Sequence, residues 1–215
     1  MSPQEPLAET KMPSPRWIWF ITGPTACGKT TIAKYLAEQL GFSFVEGDDY
    51  HPKFNRLKMS RNHPLTDADR AAWLRAIRAH TTHQPPSNGS DNPNHSPENL
   101  VVTCSALKRR YRDVLRKPQI PGGEKDNNSV AAAAATEAGV RVWFVFLHVP
   151  EDVLRERARE RKGHFAKEGL VKSQVEAMEV PREGREEDVV LKKVTEIMGM
   201  GENGVGKEVI DKSLL

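Results

Sequence analysis

The sequence predicts an α/β protein in which a parallel sheet of about five strands carries helices on both faces. Three observations predict it. Short apolar runs alternate with amphipathic stretches along the chain. The runs Leu100–Ser105 and Arg141–Val149 are continuously apolar rather than alternating, which is the pattern of strands covered on both faces. The first run, WIWFIT from Trp17, leads directly into a glycine-rich turn and then a helix, the order of a phosphate-binding unit.

That turn is GPTACGKT, Gly23 to Thr30, and it matches G-x-x-x-x-G-K-S/T. Its glycines let the backbone curl so that N–H groups converge on phosphate oxygens. The helix that follows adds free donors and positive partial charge at its N-terminus. Gly23, Pro24, Thr25, Ala26, Cys27, Gly28, Lys29, Thr30 and Thr31 are therefore the expected ATP-binding residues. Lys29 is expected to reach the β- and γ-phosphates and Thr30 to hold Mg²⁺. A second stretch, Gly201 to Lys207, repeats the glycine and lysine spacing but ends in Glu208 and follows no strand. It reads as a turn.

The remaining elements follow in order. Ile32, Ala33, Leu36, Ala37 and Leu40 share one helical face, and Gly41 stops that helix. Phe42 to Val45 reads as a strand that ends before Gly47, Asp48 and Asp49. Strand ends of this kind bear ligands in open α/β sheets. KFNRLKMS suits a short helix. Thr66 to Asp69 resembles a capping box for a longer helix that buries Trp73, Leu74 and Ile77. After Leu100–Ser105, Leu107, Tyr111, Val114 and Leu115 share a face, with the cations on the other. Pro150 and Glu151 suit a first helical turn after Arg141–Val149. A further helix carries Val171, Val175 and Met178, and Asp188–Leu191 suits a last short strand. The stretches His83–Asn99 and Lys117–Gly139 read as loops. No internal repeat is visible.

Length and composition set bounds. The 215 residues suit one domain at 17–215, preceded by a disordered arm at 1–16, with a lid near 157–170 and an unassigned tail at 192–215. A net charge of +3 fits an anionic small molecule and does not argue for nucleic acid. The two cysteines, Cys27 and Cys104, read as reduced thiols of a cytoplasmic protein. No apolar run approaches the length that spans a membrane. The seven histidines show no metal-ligand spacing.

A nucleotide site also needs an acid near its metal. Leu100–Ser105 offers none at its end, so Asp48 and Asp49 are the candidates. Asp48 is preferred as the carboxylate that orients the acceptor hydroxyl or takes its proton. For Asp49 a turn role stays open. Arg157 and Arg161 share a helical face in a cationic run and suit a lid that stabilises transferring charge. Lys29, Asp48, Arg157 and Arg161 form the expected catalytic set.

Several blocks together, GPTACGKT, GDDYHP, LKM, PLTDADRAAWL, CSALKRRYRD and RKGHF, resemble the gluconokinases of the P-loop kinase type. The resemblance runs from about Trp17 to Pro181 and extends to shikimate and nucleoside monophosphate kinases. It implies a P-loop NTPase kinase fold with a mobile lid, a homodimer, and transfer of the ATP γ-phosphate to D-gluconate. It also implies substrate contacts at Asp48, His51, Lys58, Asp67, Arg70, Lys108, Arg112, His164 and Gln174, and Mg²⁺ at Thr30. The chain departs from the family pattern at Thr25-Ala26, at the two long loops, at SQVEAMEVP and after Val190. Three other readings remain on the sequence: a kinase of another small acid or polyol such as shikimate, a nucleic-acid-binding P-loop protein, and a non-catalytic nucleotide-binding relative. The lack of aromatics interleaved with the cations counts against the second.

Overall fold

The computed structural model describes residues 16–61, 63–82, 99–116, 140–160, 168–182 and 185–193. The elements in order are β1 (Arg16–Thr22), α1 (Lys29–Leu40), β2 (Ser43–Val45), a 3₁₀ turn (Gly47–Tyr50), α2 (Lys53–Ser60), α3 (Asp67–Thr82), β3 (Leu100–Thr103), α4 (Arg109–Arg116), β4 (Val140–His148), α5 (Glu151–Glu160), α6 (Glu168–Glu176) and β5 (Val189–Lys193). The strands form one sheet in the order β2-β3-β1-β4-β5, and every neighbouring pair is parallel. The expected five-stranded α/β architecture is present. β1 begins at Arg16, one residue inside the stretch expected as an arm. The stretch Gly201–Lys207, residues 83–98 and residues 117–139 lie outside the described residues.

Strand alternation splits the core in two. Side chains on successive strand residues point to opposite faces. Trp19 and Ile21 of β1 therefore join Val101, Val145 and Leu147 on one face, under Ala33, Leu36 and Ala37 of α1 and Leu154 of α5. Ile18 and Phe20 join Leu100, Val102 and Phe144 on the other, under Trp73, Leu74 and Ile77 of α3 and Tyr111 and Leu115 of α4. Phe20 and Phe144 face each other across paired strands with ring centroids 5.3 Å apart. Burying one such large apolar side chain contributes about 1.5–3 kcal/mol, so both helical layers are needed to hold the sheet. β4 is less buried than its sequence suggests: Val140 and Arg141 at its start are exposed, and burial begins at Phe144.

Helix ends follow the sequence signals. Gly41 closes α1 at φ 65°, a left-handed conformation that favours glycine. Thr66 and Asp69 exchange the reciprocal bonds of a capping box at the start of α3. The Thr66 N–H donates to Asp69 Oδ2 at 2.7 Å, and the Asp69 N–H donates to Thr66 Oγ1 at 3.3 Å. α6 stops at Glu176, so Met178 falls beyond it.

One expectation for α4 is corrected. Arg112, expected as a substrate contact, is 1% exposed and faces the interior, unlike the exposed Arg109 and Arg110. Its guanidinium donates to Glu186 through Nε at 2.9 Å and NH2 at 2.6 Å, and to the carbonyls of Ala106, Leu107 and Glu179. Arg116 adds bonds to Glu186 and Asp188. The two arginines hold the Glu186 carboxyl down at about 2 and lock α4 to the segment entering β5. The periodicity of α4 could not show this, because Glu186 lies 74 residues away in the chain.

Among the described glycines, Gly47 has the closest backbone neighbour. Its N–H donates to Thr103 Oγ1 at 3.0 Å, and its carbonyl accepts from Trp73 Nε1 at 2.8 Å. A Cβ built on Gly47 would stand 1.9 Å from the Thr103 carbonyl oxygen and 3.3 Å from Ile77. Gly47→Ala should therefore push the 3₁₀ turn off β3 and cost about 1–3 kcal/mol, as overpacking does. Denaturant unfolding checks this, and an unchanged midpoint would show that the turn yields freely.

Candidate active site

The cleft lies at the carboxyl ends of the strands and encloses about 370 Å³. One wall is the phosphate loop. Gly23 and Gly28 take φ of 137° and 97°, which only glycine adopts without strain, and Ala26 sits at φ 63°. Gly23 is also required by space, since a Cβ there would lie 2.7 Å from the Leu147 carbonyl oxygen and 2.9 Å from Cys27 Sγ. α1 opens from Gly28 with no side-chain cap and no acid in its first turn. Its N-terminal donors are thus left to a ligand, and no carboxylate there repels an anion.

Thr25, Ala26, Gly28, Lys29 and Thr30 line the cleft. Gly23, Pro24 and Cys27 are buried behind them, and Thr31 is exposed outside the lining. Lys29 Nζ donates to the carbonyls of Gly23 at 3.1 Å and Pro24 at 2.8 Å, which holds the ammonium over the loop. Gln174 of α6 accepts from the Thr25 N–H at 2.6 Å. The helix after the expected lid therefore touches the phosphate loop directly.

The acid that meets the phosphate-loop helix is Glu46. Thr30 Oγ1 donates to Glu46 Oε2 at 3.0 Å, and Thr103 Oγ1 donates to Glu46 Oε1. The sequence alone offers Asp48 and Asp49 as the candidates for this place. The carboxylate that the structure bonds to Thr30 is instead the residue directly after β2. The signal that could have found it is its place at a strand end, before Gly47 turns the chain away.

The opposite wall is built on the 3₁₀ turn, α2 and α3. Asp48 is exposed on the turn, with Oδ1 3.7 Å from Nε2 of His51. His51 is 4% exposed and stacks on Trp73, with centroids 4.2 Å apart and planes at 13°. Burial, followed by the charges of Arg70 and Arg56, lowers the His51 pKa to about 4. Arg56 donates through Nε to the His51 carbonyl at 3.0 Å, and Arg70 donates to the Leu65 carbonyl. Asp48, Asp49, His51, Arg56 and Arg70 all line the cleft. Arg56 was not foreseen, because KFNRLKMS shows only a basic surface helix in one dimension.

Four of the expected substrate residues stand outside this lining. Lys58 pairs with Asp69 at 2.8 Å and lowers the Asp69 pKa to about 2. Lys108 pairs with Asp67 at 3.0 Å, and Asp67 also accepts from Arg110 and Tyr111. These contacts hold its carboxyl well below the usual range, the Tyr111 hydroxyl first among them. They brace α2 to α3 and α3 to α4. Arg112 is the fourth, and Glu186 occupies its guanidinium. Arg157 lies on α5, outside the described lining. Arg161 and His164 lie outside the described residues.

Among the described residues no three His, Cys, Asp or Glu side chains converge as a metal site. Among them, too, no helix is long and apolar enough to cross a membrane.

The burial of His51 predicts a pH dependence. An unfolded histidine takes a proton near its ordinary value of 6.5, whereas the folded one resists until about 4. Between those values acid therefore favours the unfolded chain. This one group should remove up to about 3 kcal/mol of stability as pH falls from 7 to 4. His51→Gln should flatten the unfolding midpoint across that window relative to wild type. Parallel pH curves for the two proteins would contradict the assignment.

The comparisons with known proteins agree with this geometry. A family model described as an AAA domain matches residues 18–183. The gluconokinase of Gluconobacter oxydans is 36% identical over 183 residues, covering 85% of each chain. A Schizosaccharomyces pombe protein named a probable gluconokinase is 35% identical over 86% of this chain and 83% of its own. The crystal structure of a gluconokinase from Sinorhizobium meliloti 1021 superposes with a TM-score of 0.64 at 34% identity, covering 95% of this chain and 97% of that one. With the parallel sheet, the phosphate loop and the two-walled cleft in place, these similarities show that the chain belongs to the gluconokinase family of P-loop kinases.

Proposed function

We propose that this chain transfers the γ-phosphate of ATP to the 6-hydroxyl of D-gluconate, giving 6-phospho-D-gluconate and ADP. The observation that carries this reading is that one cleft has two chemically different walls. Lys29, Thr30 and Glu46 meet the demands of a nucleotide triphosphate, and Asp48, His51, Arg56 and Arg70 meet those of a polyhydroxy acid. A carboxylate substrate suits arginine, and its hydroxyls suit a mix of acid and imidazole.

In this reading the loop N–H groups and the α1 N-terminus hold the phosphates, and Lys29 leaves its loop carbonyls to follow the charge of the transferring group. Asp48 orients the acceptor hydroxyl and takes its proton. Thr30 and Glu46 supply hard oxygen donors side by side, which fits Mg²⁺. The ion would neutralise charge on the phosphate oxygens when bound. Gln174 couples the segment after α5 to nucleotide occupancy, since phosphate binding competes for the Thr25 N–H. We assign Arg157 and Arg161 to the lid from their shared helical face in a cationic run and from the resemblance, and His164 from the resemblance. A homodimer in the cytoplasm, acting on a small molecule and not on nucleic acid, completes the reading.

The test is ADP release by purified protein with Mg²⁺-ATP and D-gluconate, shikimate, glycerate or nucleoside monophosphates. Gluconate alone should raise the rate by about tenfold or more over the ATP-only background. Stimulation by shikimate in its place, or by no acceptor, would overturn the assignment.

A further inference from the structure

The mechanism above uses Asp48 but leaves open what aims it. Asp48 is the exposed member of the site, with its side chain 73% accessible, so packing does not fix its carboxylate. The buried His51 faces it, with Nε2 3.7 Å from Oδ1, and His51 is itself held by a buried polar residue.

That residue is Asn55, on α2 and 2% exposed. Its Nδ2 donates to the Asp69 carbonyl at 2.9 Å. A carbonyl can only accept, so this bond fixes which end of the amide is nitrogen. The same Nδ2 stands 3.3 Å from Nδ1 of His51. An amide nitrogen can only donate, so Nδ1 must accept. One hydrogen goes to Asp69 and the other to His51. A neutral imidazole that accepts at Nδ1 carries its proton on Nε2. Nε2 is the atom that faces Asp48, 3.7 Å from Oδ1. The stack on Trp73 holds the ring plane, and the same indole donates to Gly47, the residue before Asp48 in the turn.

We propose that Asn55 is a positioning residue that holds His51 in the Nε2–H tautomer, so that a neutral donor orients the Asp48 carboxylate toward the acceptor hydroxyl. The proposal rests on the reading of Asp48 as the acceptor-side carboxylate. Neutrality matters to it. An imidazolium beside Asp48 would favour the carboxylate's charged form and weaken it as a proton acceptor. A neutral N–H fixes one oxygen and leaves the other to the substrate. The 3.7 Å separation is longer than a hydrogen bond, as contacts between catalytic groups often are before substrate binds.

Asn55→Asp tests this with little change of shape. A carboxylate at that position can only accept, so it should draw the proton to Nδ1 of His51 and leave Nε2 without one. Long-range ¹H–¹⁵N spectra of full-length protein labelled at histidine read the tautomer directly, with His51 assigned by its loss in His51→Gln. Wild type should show Nε2 protonated, and Asn55→Asp should show Nδ1 protonated. With gluconate, Asn55→Asp should lower kcat about tenfold or more with the KM for ATP unchanged. His51→Gln, whose amide can place an N–H near Nε2, should retain more activity than His51→Ala. Nδ1 protonated in wild type overturns the proposal, even if Asn55→Asp does not fold. A switched tautomer with unchanged kcat also overturns it. An inactive wild type that still shows Nε2–H would refute the gluconate reading and leave the tautomer assignment standing.

Discussion

The site depends most on the hydroxyl of Thr103. It stands at the end of β3, next to β1 in the sheet. It donates to Glu46 and accepts from the Gly47 N–H. Two consecutive residues are thereby fixed to one atom on a buried strand. Glu46 then reaches Thr30 at the start of α1, and Gly47 leads into Asp48 on the 3₁₀ turn. A phosphoryl transfer needs donor and acceptor aligned to within a fraction of an ångström. Here the alignment passes through a strand terminus, the most rigid element available, and not through the loops. Trp73 secures the other side of the same turn by donating to the Gly47 carbonyl and stacking on His51.

The periphery is braced by charge. Asp67, Asp69 and Glu186 each accept from a lysine or arginine of another segment, Asp69 from nearby Lys58 and the other two from partners far along the chain. Their energetic weights differ. The Arg112–Glu186 pair is almost wholly buried, so losing one partner would leave an uncompensated charge in the interior. The Asp67 cluster is half exposed and screened by water, so it fixes the helix N-termini more than it stabilises the fold.

Much of this was legible in the sequence, for identifiable reasons. The strands showed as apolar runs, and the phosphate loop as a spacing of glycines and a lysine that chemistry constrains tightly. Gly41 and Thr66 marked helix ends because caps are local. What stayed hidden depends on contacts distant in the chain. Arg112 reads in one dimension as a substrate contact, and only the fold brings Glu186 to its guanidinium. Glu46 stands out only once β3 brings Thr103 beside it, and Asn55 only once α3 brings the Asp69 carbonyl to its amide. A sequence also hides that Gly47 and the 3₁₀ turn give Glu46 and Asp48 different partners, Thr30 for the one and His51 for the other.

The central claim is that one hydroxyl aligns both halves of the cleft, and substitution at Thr103 tests it most directly. Thr103→Ser keeps the hydroxyl, whereas Thr103→Val keeps the shape and loses it. Steady-state kinetics with ATP and D-gluconate should show Thr103→Ser near wild type and Thr103→Val reduced in kcat by about a hundredfold, with thermal stability lowered far less. Equal activity of the valine and serine variants would contradict the account.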